Sequence, residues 1–132
     1  MFKPILSLHI NNNDPKIFSQ VISLWLVVLK TTDVIDFSKK FYGVYHNYKC
    51  EDDSLDLSIS IKAPKNSFSF DLIALGDKYR EFIVGDIFPE NIHKGWREIW
   101  ELERKGQLDR KYDTDYEEYR PDGTVSIFIS IK

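Results

Sequence analysis

A single cysteine, Cys50, is all the thiol chemistry this chain has. It excludes an internal disulfide and fits a reducing, cytoplasmic setting. His9, His46 and His93 are scattered, and no Cys/His group has zinc spacing, so no metal or other cofactor is expected. Long basic runs are missing. Lys39-Lys40, Arg104-Lys105 and Arg110-Lys111 are short pairs with acidic residues nearby, and the formal charge is −3, which argues against direct DNA binding. There is no GxGxxG and no GxxxxGK[ST], and hence no nucleotide loop. The most apolar run, Val21 to Leu29 with only Ser23 breaking it, falls far short of the ~20 residues a membrane span needs. It also lies too deep and lacks the basic leader of a signal peptide, so no membrane association is expected.

Aromatic residues, in contrast, are plentiful: nine Phe, seven Tyr and three Trp in 132 residues. They serve cores first and ligand pockets second. The length suits one domain with a full hydrophobic core.

The chain also repeats itself. Tyr45-His46-Asn47-Tyr48 recurs about 70 positions later as Tyr116-Glu117-Glu118-Tyr119, and Ile59-Ser60-Ile61-Lys62 recurs as Ile129-Ser130-Ile131-Lys132. Two related halves, about 1–65 and 66–132, explain both matches; chance recurrence of short strand patterns is the alternative. A two-fold arrangement would place His46 and Glu117 at equivalent points.

Local patterns supply the elements. Ile5 to Ile10 predicts a strand, and Asp14-Pro15 predicts a capped helix start. That helix should run to about Lys30 and, being apolar on most sides, be deeply covered. Thr31 to Lys40 reads as loop. Phe41 to Cys50 and the alternating Leu55, Leu57, Ile59 and Ile61 predict a hairpin. Phe68 to Leu75 and Tyr79 to Val84 are strand-like. Pro89 opens a helix with Ile92, Trp96, Ile99 and Trp100 on one face and Gly106 past its end. Lys111 to Arg120 predicts a strand, Arg120-Pro121-Asp122-Gly123-Thr124 a turn, and Val125 to Ile131 the last strand. The expected fold is α+β: duplicated β-α-β-β units forming an antiparallel sheet with two main helices and a central ligand groove.

The second half carries Tyr79-Arg80-Glu81-Phe82, Gly85, Trp96-Arg97-Glu98-Ile99-Trp100 and Asp115-Tyr116-Glu117-Glu118-Tyr119; the first carries Tyr42-Gly43-Val44-Tyr45. This ordered set resembles the GyrI-like, AraC-type effector-binding domains, including stand-alone versions encoded in integron gene cassettes. The resemblance covers most of the chain, is strongest from about Tyr79 onward and is weakest before Phe41. It implies a groove that binds small organic molecules, often lipophilic cations, with the glutamate of an Asp-aromatic-Glu-x-Tyr pattern in the pocket. Here that glutamate is Glu117. Some members use it to hydrolyse reactive cyclopropane-containing toxins, and others are described as gyrase inhibitors. A helix-turn-helix reader has no room beside the two repeats. A stand-alone binding module is therefore expected, with any output through a separate regulator protein.

Glu117 is the main candidate ligand-binding residue: a buried carboxylate is costly and is kept with a partner or a use. Tyr119, two positions on, shares its strand face, whereas Tyr116 and Tyr112 fall on the other unless a bulge intervenes. Trp96 and Trp100, one turn apart, serve either as core or as pocket wall, and so do Tyr79 and Phe82. His46 is either a pocket group that titrates near neutral pH or a surface histidine; strict alternation allows at most one of Tyr45 and Tyr48 to accompany it. Cys50 is expected to be at least half-buried. No nucleophile-base pair is legible, so catalysis would rest on Glu117 as a base for water. Exposed strand edges permit a homodimer.

Overall fold

The structure is a computed structural model that describes residues 1–30, 38–64, 70–85 and 90–132. Two β-α-β-β units follow each other: β1 (Phe2–Asn11), α1 (Ile17–Lys30), β2 (Phe41–Lys49) and β3 (Ser54–Lys62), then β4 (Tyr79–Val84), α2 (Glu90–Arg104), β5 (Asp115–Tyr119) and β6 (Val125–Ser130). The six strands form one antiparallel sheet in the order β1-β3-β2-β5-β6-β4. The units therefore meet at the central β2/β5 pair, and β1 and β4 are the open edges. Val44 stands opposite Tyr116, with Tyr45 opposite Asp115 and Gly43 opposite Glu117.

A two-fold through the Val44/Tyr116 pair exchanges Tyr45 with Glu117, not His46 with Glu117. The same operation carries Leu57, opposite Tyr45, onto Ile127, opposite Glu117, and so brings the Ile59 run onto the Ile129 run. The Ile-Ser-Ile-Lys match is in structural register. The Tyr-x-x-Tyr match is one residue out, which puts His46 on the wrong face.

Alternating apolar residues give each strand one face for the helices. Leu55, Leu57 and Ile59 of β3 and Val125, Ile127 and Ile129 of β6 form a layer with Leu24, Trp25 and Val28 of α1 and Ile92, Trp96 and Ile99 of α2. The other sheet face carries a smaller cluster of Phe2, Tyr42, Val44 and Ile73, with Tyr116 packed on it. Asp14 caps α1 through Lys16 N (2.9 Å) and Gln20 Nε2 (3.3 Å). Gly106, at φ +73°, ends α2, and Gln107 N closes back on the Leu102 carbonyl at 2.9 Å. The predicted turn forms with Gly123 at φ +86° and Thr124 N on Asp122 Oδ1 at 3.0 Å.

Several expectations are corrected. Only Leu24, Trp25 and Val28 of α1 are buried, while Leu26 and Val27 are each 51% exposed, because the helix lies against β1 and β3 on one side alone. Of Phe68 to Leu75, residues 68–69 lie outside the described residues, and the rest contributes a single bridge, Ile73 with Phe2. The strand expected from Lys111 begins at Asp115, since Arg110 bridges to Ile131 and Tyr112 turns through φ +61°. Pro89 and most of the Thr31 to Lys40 loop also lie outside the described residues. Cys50 is exposed at the β2–β3 turn.

Gly95 lets α2 sit close on the sheet: a Cβ there would lie 2.6 Å from Val84 Cγ1 and 2.9 Å from Ile127 Cδ1. Gly95→Ala gains about 1 kcal/mol of helix propensity but overpacks this contact by about 1–3 kcal/mol. The expected net effect is destabilisation, seen as a lower urea midpoint at unchanged m-value. A midpoint at or above wild type would refute the close-packing role.

Candidate functional site

Glu117 is fully buried at 0% exposure on the helix face of β5. Its Oε2 accepts from Tyr45 Oη at 2.6 Å and from Trp96 Nε1 at 2.7 Å. Its Oε1 accepts from Tyr119 Oη at 2.8 Å. All three donors are neutral, and no cation pairs with Glu117 among the described residues. Gly43, directly across the β2/β5 seam, makes room: a Cβ there would lie 2.8 Å from Oε1 and 3.1 Å from Trp25 Cζ2. Hydrogen bonds to a charged group contribute about 1.5–3 kcal/mol each, against several kcal/mol for burying a carboxylate. Burial dominates and holds the Glu117 carboxyl above its ordinary range, although the three donors pull it back down. Burial and the same carboxylate push Tyr45 and Tyr119 well above the usual phenol value, so both remain donors.

A cavity of about 70 Å³ opens beside this cradle. Ile17, Phe18 and Val21 of α1 line one side, and Ile92, Trp96 and Trp100 of α2 line the other. Tyr45 and Leu55 provide the sheet side. Phe18 and His93 bridge the two helices, ring to ring, at 4.3 Å. Tyr45 and Trp96 thus touch both the cavity and Glu117, so the carboxylate lies one aromatic layer behind the cavity wall. Next to it a wider cleft of about 510 Å³ shares Asn12, Tyr48, Trp100 and Arg110 with the cavity. Arg110 pairs through Nη2 with buried Asp115 at 2.8 Å, and Tyr48 Oη donates to the same carboxylate at 2.6 Å. The Arg110 Nε is buried without an acceptor among the described residues.

The structure brings Glu117, Tyr119 and Trp96 together, with Trp100 at the mouth and 45% exposed. Tyr119 is behind the cavity, stacked on Phe41 at 5.1 Å. Three other candidates lie elsewhere. His46 is on the opposite sheet face, bonded to Ser58 Oγ at 2.8 Å, and burial lowers its pKa below the usual histidine value. Tyr79 is also on that face, its hydroxyl donating to the Thr114 carbonyl at 2.8 Å and accepting from Gly76 N at 2.6 Å. Phe82 packs against the helix-side core, with Arg80 over its ring at 4.9 Å, but does not reach the cavity.

Tyr45 and Tyr48 do not divide between the faces. The β2–β3 register shifts between His46 and Lys49, and Asn47 adopts φ +54°, so the bulge returns both tyrosines to the helix side. Tyr112 is likewise on that side, stacked over Arg110 at 4.2 Å, because it precedes β5 and is not bound by its alternation. Among the described residues, no group of His, Cys, Asp and Glu has the geometry to hold a metal ion. No helix among them is long and apolar enough to cross a membrane.

The chain is similar in structure to an integron cassette protein from the mobile metagenome of Vibrio cholerae. The crystal structure of that protein superimposes with a TM-score of 0.73 at 22% identity, covering 100% of this chain and 95% of the other. The likeness establishes the fold. The chain matches no protein-family description and no curated protein sequence.

Because burial raises the Glu117 pKa, ionising it costs more in the folded chain than in the unfolded one. Its contribution to stability therefore falls as pH rises from the ordinary value of 4.5 towards the raised folded value. A Gln side chain fits the cradle, with its oxygen accepting from Tyr45 and Trp96 and its amide donating to Tyr119. The melting temperature of Glu117→Gln should match wild type near pH 4 and exceed it increasingly towards neutrality, at roughly 4 °C per kcal/mol. A gap that does not vary with pH would show that Glu117 ionisation is not coupled to folding.

Proposed function

We propose that this chain is a small-molecule-binding domain of the effector-binding type that takes aromatic organic cations between α1 and α2. One observation carries the reading: a fully buried carboxylate has three neutral donors and, among the described residues, no cationic partner, and two of those donors form part of the cavity wall. Ionised, Glu117 leaves an uncompensated negative charge that a cation seated against Tyr45 and Trp96 neutralises. The rings add cation–π attraction of about 0.5–2 kcal/mol each when desolvated. The cavity of about 70 Å³ is small for a drug-sized guest, since such ligands occupy roughly 300–1,000 Å³. Binding a larger cation therefore parts the Phe18–His93 contact or extends the ligand into the cleft. Hydrolysis is the weaker reading. Both Glu117 oxygens already accept hydrogen bonds and the side chain has no exposure, so no water is within its reach in this arrangement.

The test uses benzyltrimethylammonium, whose charge does not titrate, and its neutral isostere neopentylbenzene, followed by Trp96 and Trp100 fluorescence. Wild type should prefer the cation by on the order of tenfold to a hundredfold at neutral pH. The preference should shrink as pH falls and Glu117 takes up its proton, and should be lost in Glu117→Gln. Equal binding of the two probes, or a preference that survives Glu117→Gln, would overturn the reading.

A further inference from the structure

Arg110 stands where the apolar cavity meets the polar cleft, and its side chain is only 4% exposed. A guanidinium carries five N–H donors in a fixed fork. Here one bond is short, Nη2 to Asp115 Oδ2 at 2.8 Å; Glu103 Oε1 at 3.5 Å and Tyr48 Oη at 3.4 Å are at the limit, and Nε has no acceptor among the described residues. A buried donor left open is uncommon in folded proteins and points to a missing acceptor. The ring of Tyr112 covers the guanidinium at 4.2 Å, is 40% exposed, and is tied by its hydroxyl to Glu103. Its backbone is at φ +61°, a strained conformation for a bulky residue. Tyr112 is thus a cap fastened at its edge, over a donor that lacks a partner among the described residues.

The charge around this junction selects the kind of acceptor. Asp115 and Glu103 face the guanidinium, and Asp53 and Lys49 line the cleft. With Arg110 counted, carboxylates outnumber cations by one, so a further anion is disfavoured. A neutral oxygen is not.

We infer that the Arg110 junction is a second subsite, where a neutral carbonyl or amide oxygen at the far end of the aromatic cation displaces the half-exposed Tyr112 ring and accepts from the guanidinium it covers. It rests on the cation reading above and narrows it: the preferred guests are aryl ammonium compounds bearing a carbonyl group, their charge beside Tyr45 and Trp96 and their oxygen on Arg110.

The probes are 4-(aminomethyl)acetophenone and 4-isopropylbenzylamine, which match in charge and in the number of heavy atoms and differ in the carbonyl. Wild type should bind the acetyl compound about tenfold more tightly, the ratio expected for one bond to a charged donor. In Arg110→Lys a single ammonium stays engaged with Asp115 and has no second donor of fixed geometry, so the ratio should fall to about one while the isopropyl compound still binds. Independently of any variant, the Arg110 Nε–H proton resonance should move with the acetyl compound and not with the isopropyl compound. Equal affinity of the two amines for wild type overturns the subsite and leaves the cation reading standing. So does a preference that persists in Arg110→Lys, or an Nε–H resonance indifferent to the carbonyl. Failure of both amines and of benzyltrimethylammonium to bind overturns the two together.

Discussion

Everything near the seam of this sheet is arranged around one buried carboxylate. Glu117 is in the middle of the β2/β5 pair, where the two units meet, and a charge there is tolerable only with donors on both oxygens. Tyr45 comes from β2, Tyr119 from β5 and Trp96 from α2, so the cradle exists only when both halves are folded against each other. The constraint extends to residues that make no polar contact. Gly43 has no side chain because Glu117 occupies that space, and Trp25 closes over the same point from α1.

The strand order is two-fold symmetric, but the chemistry is not. The operation that exchanges the units sets Tyr45 against Glu117, a donor against an acceptor, and the two join across the axis. A symmetric pair of carboxylates at this spacing would repel, and a symmetric pair of tyrosines would carry no charge. The bulge at Asn47 breaks the symmetry again by adding Tyr48 to the helix face, where it shares Asp115 with Arg110. One end of the cavity is therefore lined by aromatic donors to a hidden carboxyl group, and the other by a paired arginine.

On the opposite sheet face similar residues pack against one another. Phe2, Tyr42 and Tyr116 pack within 6 Å of one another, and Lys62 lies over Phe2 at 4.6 Å. The cation in this cluster belongs to the chain, so the aromatic surface is already occupied. On the helix face Arg110 lies 5.8 Å from the Trp96 ring but is paired with Asp115, and among the described residues no cation pairs with Glu117. The proposed binding role of the helix face rests on that difference more than on aromatic content.

Much of this was legible in the residues. The period-two runs at Leu55–Ile61 and Val125–Ile131, the Asp14 cap, the Trp96/Trp100 helix face and the Pro121-Asp122-Gly123 turn are local codes that the backbone reads within a few residues. Glu117 and Tyr119 sharing a face followed from strand geometry, and the family resemblance pointed to Glu117 itself. Tertiary structure alone decided which aromatic residues surround it. A one-residue offset in the Tyr-x-x-Tyr match turned His46 away and Tyr45 inward, and the bulge at Asn47 rescued Tyr48 from the alternation that would have excluded it. Tyr79 was misplaced for a related reason: on an edge strand the pattern shows alternation but not which face the helices cover. Phe82 does face the helices, but β4 lies at the far edge of the sheet from the cavity, and strand order is not written in the local pattern. Arg110 left no signal at all, because its role comes from a bridge to Ile131 and a buried pairing with Asp115. In strands each residue step reverses the side chain, so membership of a site depends on register, and register is set by contacts far apart in the chain.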